Sequence, residues 1–148
     1  MVVDTISDFL LSNNYSNKFI AIDYGLKFIG IATNDPTNII SIPNGTFSEK
    51  DFFLNIEQIL ISKKISGIII GMPYHLDGRE SEMSKNVRLF AKKIEKITSL
   101  PILFIDERLS SKGYKSGKKH ELNSVHEKSA CLILDDFLTL YKNSPSGK

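Results

Sequence analysis

The hydrophobic and polar positions of this chain form short apolar runs separated by longer segments of helical periodicity. Two of the runs, residues 19–24 and 28–33, are rich in β-branched and aromatic residues and flank Gly25, which predicts a β-hairpin. Residues 39–47 have weaker strand character, because Pro43 and the pair Asn44-Gly45 interrupt them. The first third of the chain therefore predicts a hairpin followed by a third strand.

The second half of the chain alternates buried strands with amphipathic helices. Residues 66–72 and 100–105 are apolar at almost every position, as expected for strands that are covered on both faces. Apolar residues recur at helical spacing in four segments, residues 4–11, 51–63, 80–97 and 123–141. Buried strands that alternate with helices imply right-handed crossovers and a mixed sheet with helices on both faces. The sequence thus predicts an α/β fold.

The composition indicates one compact domain. The chain has 148 residues, of which 41% are hydrophobic and 24% are charged, which is enough for a core and too apolar for a disordered chain. We expect the domain to span residues 1–142 and residues 143–148 to be a disordered tail. A single cysteine, Cys131, suits a reducing compartment, and no apolar run approaches the roughly 18 residues of a membrane helix, so we expect a cytoplasmic protein. The net charge of +2 permits nucleic-acid binding without indicating it.

Two carboxylates stand at the ends of predicted strands. Asp23 lies near the end of the first strand, and Asp106 follows the last one. If these strands are parallel and close, both acids lie at the edge of the sheet where α/β proteins bind ligands. Two carboxylates held together repel each other unless one is protonated or a cation lies between them, and Mg²⁺ takes such oxygen ligands. The structural alternatives are a turn residue for Asp23, a helix cap for Asp106, and Arg108 as an ion-pair partner of either acid.

A third candidate lies at the start of the last predicted helix. His126 is in line with the apolar stripe of that helix, which continues at Ala130. A histidine there is either a buried imidazole with a hydrogen-bond partner or a group that points into a site at the sheet edge. Ser124 and Glu127 form the S-x-x-E pattern of a capping box, which gives Glu127 a structural role. Spacing alone favours the structural interpretation for both His126 and Glu127.

Two segments offer hydrogen-bond donors to phosphate. Residues 71–86 lead from a strand into a helix N-terminus, where free N–H groups bind anions, and they contain Arg79 and Ser81. Residues 111–123 form a basic loop between the candidate acid at 106 and the histidine at 126. Its lysines are Lys112, Lys115, Lys118 and Lys119. Such a loop attracts a phosphate backbone, and the alternatives are a plain strand-to-helix connection and solvated surface charge.

Four segments occur together in a known order. They are "IDYGLKFIGIATND", "IIIGMPYHLDGRESEMSKNVRLFAKKI", "LPILFIDERLSS" and "HEKSACLILDDFL". Over residues 18–138 the chain resembles the YqgF family, also called RuvX, of Holliday-junction-resolvase-like proteins. The resemblance implies an RNase H-like fold, with a five-stranded mixed sheet of order 3-2-1-4-5 flanked by helices. It also implies a divalent-metal-dependent nuclease on structured nucleic acid, with 5′-end processing of the 16S rRNA precursor as the usual assignment and junction resolution in DNA recombination as the alternative.

The same resemblance assigns the residues of the site. Asp23 matches the first catalytic acid and Asp106 the second, with one strand between the strands that carry them. The third position is normally an aspartate and is His126 here, with Glu127 as a substitute; histidine suits Mn²⁺ better than Mg²⁺. We expect one or two Mg²⁺ or Mn²⁺ ions on these residues, in a monomer or a homodimer. The predicted nucleic-acid contacts are Gly25, Lys27, Arg79, Ser81, Arg108, Lys112, Lys115, Lys118 and Lys119.

Two other classes of protein fit parts of this pattern. The low net charge and the missing third aspartate favour a non-catalytic rRNA-binding assembly factor. An actin-like or sugar-kinase-like ATPase also opens with D-x-G on a hairpin, but it needs two domains with a nucleotide between them. A chain of 148 residues leaves no room for that arrangement.

Overall fold

The computed structural model describes residues 1–12, 18–35, 41–73, 77–106 and 122–142, without the side chains of residues 12, 122–125, 127 and 142. The elements are β1 (Val2–Val3), α1 (Ile6–Ser12), β2 (Phe19–Tyr24), β3 (Ile29–Asn34), β4 (Ser41–Phe47), α2 (Glu49–Ser62), β5 (Gly67–Met72), α3 (Glu82–Glu95), β6 (Ile102–Asp106) and α4 (Leu122–Lys142). Every predicted helix and strand is present. No helix in the described ranges is long and apolar enough to cross a membrane.

A six-stranded mixed sheet forms the centre of the fold, in the order β1-β6-β5-β2-β3-β4. β2 and β4 each pair antiparallel with β3, whereas β2 with β5, β5 with β6, and β6 with β1 are parallel neighbours. The predicted α/β fold and the predicted order of five strands, 3-2-1-4-5, are confirmed. The sheet has one strand more than predicted, because the two residues of β1 pair with Ile102 and Leu103 of β6. A strand of that length is too short for its periodicity to be detected.

Helices cover both faces of the central strands. Ile20 and Ile22 of β2 lie in a core that includes Phe52 of α2 and side chains of α3. Phe19 and Ala21 lie in a second core, together with side chains of α1 and α4. Because successive residues of a strand point to opposite faces, a strand covered on both sides is buried at every position. This explains the continuous apolar run of β2.

An aromatic cluster fixes the direction of α4 across the sheet. The rings of Phe137, late in α4, and Phe19, at the start of β2, have centroids 4.9 Å apart with their planes at 67°. Phe9 of α1 packs edge-on to Phe137 at 5.4 Å, and Tyr141 lies 5.5 Å from Phe19. The end of α4 therefore lies over the start of β2. The beginning of α4 is thereby directed towards the carboxyl end of that strand.

Candidate active site

Asp23 is the penultimate residue of β2, in the middle of the sheet. It is 7% exposed, and its backbone lies opposite Gly30 of β3. Desolvation raises the pKa of the Asp23 carboxyl above its ordinary value, because burial disfavours the charged form. The hydrogen bond and the charge of a histidine, His126, partly oppose this rise in pKa. An ionisable acid thus lies at the carboxyl end of a parallel strand, where α/β sheets bind their ligands.

His126 contacts Asp23 from near the beginning of α4, 103 residues later in the chain. Its Nδ1 lies 2.8 Å from Oδ2 of Asp23. When Asp23 is ionised, the Nδ1–H donates to the carboxylate, and Nε2 is then the nitrogen that can accept a proton or bind a metal. The structure therefore brings together two of the three predicted site residues.

The turn after β2 is shaped to accommodate the imidazole of His126. A Cβ atom at Gly25 would lie 2.7 Å from Cε1 of His126 and 2.7 Å from the carbonyl oxygen of Phe28. The ring of Phe28 forms part of the same surroundings, with its centroid 6.5 Å from that of the imidazole. The sequence did not indicate that Phe28 belongs to the site, and its position three residues after Gly25 was the only available signal. Gly25 thus has an observed packing role, whereas its contact with nucleic acid stays a prediction.

Asp106 is the last residue of β6 and lies at the same edge of the sheet as Asp23. β5 separates the two strands, as predicted from the resemblance. In the parallel registers Met72 of β5 pairs with Asp106, and Ile70 of β5 pairs with Ile22 of β2. Asp106 therefore shares the face of Ile22, and Asp23, one residue further along β2, has the opposite face. The two carboxylates approach the edge from different sides of β5.

The donor atoms at this edge suit a divalent cation that is completed by its substrate. Mg²⁺ is commonly held by one or two carboxylates, with water and substrate phosphates as the other ligands, and an imidazole suits Mn²⁺. Within the described ranges, no three side chains of the His, Cys, Asp and Glu types converge to hold a metal ion. The carboxylate of Asp23 and the imidazole of His126 are donor groups of these types, and they lie 2.8 Å apart. The side chain of Glu127 lies outside the described residues, so its role as a substitute ligand stays a prediction.

Arg79 and Ser81 have structural partners at the start of α3. The Nε of Arg79 donates to Oδ2 of Asp77 at 2.6 Å. The hydroxyl of Ser81 accepts the N–H of Ser84 at 3.0 Å and donates to the carbonyl oxygen of Pro73 at 2.7 Å. The Ser81 side chain therefore caps the N-terminus of α3, so one N–H group fewer is free to bind an anion.

The remaining predicted nucleic-acid contacts are basic. Lys27 is exposed in the turn between β2 and β3. The other predicted contacts fall outside the described residues: Arg108, Lys112, Lys115, Lys118 and Lys119. Their roles stay predictions.

Solved structures share the fold described above. Thermus thermophilus RuvC in complex with a Holliday junction substrate matches with a TM-score of 0.58 and 8% sequence identity, over 84% of this chain and 95% of that chain. A second T. thermophilus RuvC structure gives a TM-score of 0.54, over 85% of this chain and 96% of that chain. At this level of identity the likeness shows the fold alone. The chain therefore has the RNase H-like fold.

Sequence comparison defines the family within that fold. The model of the RuvX family, described as Holliday junction resolvase, matches residues 17–140, and the chain belongs to this family of nucleases. A relative from Orientia tsutsugamushi (strain Ikeda), named "Putative pre-16S rRNA nuclease", is 31% identical over 99% of both chains. Relatives of the same name from Prosthecochloris aestuarii and Ruegeria sp. are 34% and 33% identical, over 82% and 75% of this chain and 92% and 73% of theirs.

Proposed function

We propose that this protein is a metal-dependent endonuclease that processes the 5′ end of the 16S rRNA precursor in the cytoplasm. The observation that carries the proposal is the 2.8 Å hydrogen bond between Nδ1 of His126 and the buried carboxylate of Asp23. A buried acid with a raised pKa and a specific partner, at the carboxyl end of a central strand, is the arrangement expected of a catalytic group. The names of the relatives support precursor rRNA as the substrate.

Each residue of the site has a separate role in this proposal. Asp23 and Asp106 would supply oxygen ligands to a divalent ion, and the ion would offset the charge that develops on the scissile phosphate. Asp23 also orients His126, since it holds Nδ1 and leaves Nε2 to donate or accept the proton that the reaction moves. Arg108 and the lysines of the basic segment contact phosphates that flank the cleaved bond.

A side-by-side cleavage assay tests the substrate. The full-length protein is incubated with a 16S rRNA precursor fragment and with a four-way DNA junction, each in Mg²⁺, Mn²⁺ or EDTA. We expect cleavage of the RNA at its 5′ leader in the presence of metal, with a 5′-phosphate on the product. Cleavage of the junction alone would instead establish junction resolution, which the description of the family favours. RNA binding without cleavage of either substrate would establish an assembly factor.

Substitutions test the site itself. Asp23→Asn and Asp106→Asn should abolish cleavage, and His126→Ala should slow it by about 10²–10⁴-fold, the usual contribution of a proton-transfer group. The matched control is Asp51→Asn, which neutralises an exposed carboxylate in the first turn of α2. Each variant is checked for folding by circular dichroism. Wild-type cleavage by a folded Asp23→Asn variant would show that the reaction takes place elsewhere.

A further inference from the structure

We propose that a groove between the end of β2 and helix α3 binds single-stranded RNA that flanks the cleaved bond. This rests on the proposed function, from which it takes the class of substrate. The groove, called the α3 groove below, has a volume of about 450 Å³. Its walls include Tyr24, Leu26, Leu89, Phe90, Lys92 and Lys96. Pockets that bind small ligands have volumes of roughly 300–1,000 Å³, so a nucleotide fits.

The walls of the α3 groove offer a surface for nucleobases. Leu26 is 70% exposed and Leu89 is 58% exposed, and both line this one concavity. The ring of Tyr24 packs on Phe90 with centroids 4.6 Å apart, and the Tyr24 hydroxyl donates to Oε1 of Glu49 at 3.3 Å. Proteins that bind single strands combine aromatic and apolar faces for the bases with a basic groove for the backbone. An aromatic ring and two exposed leucines that line the same groove provide the first of these components.

The rim of the α3 groove carries positive charge. Lys92 lies in the last turn of α3, and Lys96, four residues later, is the C-cap residue of the helix, so both project from the same side of the helix end. Within the described residues neither of them makes an ion pair, whereas the ammonium of Lys93 lies 2.7 Å from Oε2 of Glu49. Glu49, the acid among the described residues that line the groove, is thus paired with Lys93. Two lysines are left to complement the charge of phosphate groups.

The position of the groove favours RNA over an acidic protein segment as its occupant. Tyr24 directly follows Asp23 in β2, so the two side chains lie on opposite faces at the same edge of the sheet. A strand whose scissile phosphate lies at Asp23 crosses this edge. The nucleotides on one side of the cut then reach the α3 groove without leaving the surface.

A binding assay with matched variants tests the proposal. Fluorescence anisotropy is measured with a labelled 15-nucleotide single-stranded RNA in EDTA, at 50–200 mM NaCl, with Asp23→Asn as the parent protein. In Lys92→Gln/Lys96→Gln we expect a dissociation constant on the order of tenfold higher and a shallower salt dependence. Each lost phosphate contact lowers the slope of log K against log salt by about 0.7, so two contacts lower it by about 1.4. The control is Lys18→Gln/Lys63→Gln, at the opposite edge of the sheet.

A second variant separates the apolar contribution from the ionic one. Leu89→Ala should weaken RNA binding and leave the salt slope unchanged, because it removes contact area and no charge. Its exposed position makes it a change that the fold tolerates. Loss of affinity in the lysine variant together with wild-type affinity in the control and a slope-neutral loss in Leu89→Ala would establish the groove.

Three outcomes would overturn the proposal. The first is unchanged RNA affinity in Lys92→Gln/Lys96→Gln, and the second is an equal loss of affinity in the control. The third is a Lys92→Gln/Lys96→Gln protein that binds RNA with wild-type affinity but loses affinity for an acidic amphipathic model peptide. That result would assign the groove to a protein partner. Failure of the proposed function is distinguishable: the wild type would then cleave no RNA with any metal, while RNA binding would still depend on Lys92 and Lys96.

Discussion

Replacement of Gly25 by alanine tests how the pair of Asp23 and His126 is built. The added methyl carbon would lie 2.7 Å from Cε1 and 3.2 Å from Nε2 of His126, and 2.7 Å from the carbonyl oxygen of Phe28. Since carbon contacts are optimal at about 3.5–4.0 Å, a neighbour must move by roughly 0.8 Å. The Phe28 carbonyl belongs to the backbone, whereas the imidazole is a side chain. We therefore expect the imidazole to move away from Asp23.

The expected cost follows from this displacement. Overpacking of a filled site costs about 1–3 kcal/mol, and loss of a hydrogen bond to a charged group costs about 1.5–3 kcal/mol. Movement of the imidazole relieves only its own contact with the methyl group, and the contact with the backbone carbonyl oxygen of Phe28 remains, so the two costs add. Gly25→Ala should thus lower the free energy of unfolding by about 3–6 kcal/mol. Cleavage should fall as well, since His126 loses its orientation.

Urea denaturation and NMR of the imidazole check this expectation together. The control is Gly67→Ala, whose Cβ would meet the ring of Phe9 in the apolar core, far from the pair. We expect the control to lose stability with unchanged His126 resonances, and Gly25→Ala to change both. A Gly25→Ala protein with wild-type resonances and an unfolding free energy within about 0.5 kcal/mol of the wild type would refute the reasoning.

Three further predictions concern stability. Burial raises the pKa of the Asp23 carboxyl above 3.8, so the folded state favours the protonated acid. The stability that this group contributes is fully present below pH 3.8 and is lost as the pH rises through the pKa of the folded state. In EDTA, the stability of Asp23→Asn relative to the wild type should therefore increase as the pH rises through that range. Urea titrations that show the same difference in unfolding free energy between the two proteins at every pH would contradict this prediction. Ser81→Ala removes the cap of α3 and should cost about 1 kcal/mol, with Ser81→Thr as the control in thermal melts. Phe137→Ala should cost about 3–5 kcal/mol, and a loss below about 1 kcal/mol in urea would show that the aromatic cluster does not hold α4.

The fold was predictable because its central strands are long and buried on both faces. β2, β5 and β6 are apolar at nearly every position, as expected of strands that helices cover on both faces. Boundaries were less accurate where a cap decides them. Helix α2 begins at Glu49, two residues before the predicted start, because the Ser48 hydroxyl accepts the N–H of Asp51 at 3.2 Å. Apolar periodicity detects the buried face of a helix and not its polar cap.

The site was predictable only in part. Asp23 interrupts an apolar run, and such an interruption is visible in the sequence. The contact of Asp23 with His126 joins residues 103 positions apart, and helical spacing alone favoured an ordinary buried histidine. The face that Asp106 presents depends on the register of β6 against β5, which no local pattern encodes.

The separation of Asp23 and His126 along the chain also sets when the site can exist. A ribosome makes β2 before α4, and domains fold as their chain becomes available. Until α4 has been synthesised and has packed through Phe137 on Phe19, Asp23 has no histidine beside it. An unfinished chain therefore lacks the pair altogether. The pair of Asp23 and His126 thus forms only after the segment that contains α4 has left the ribosome.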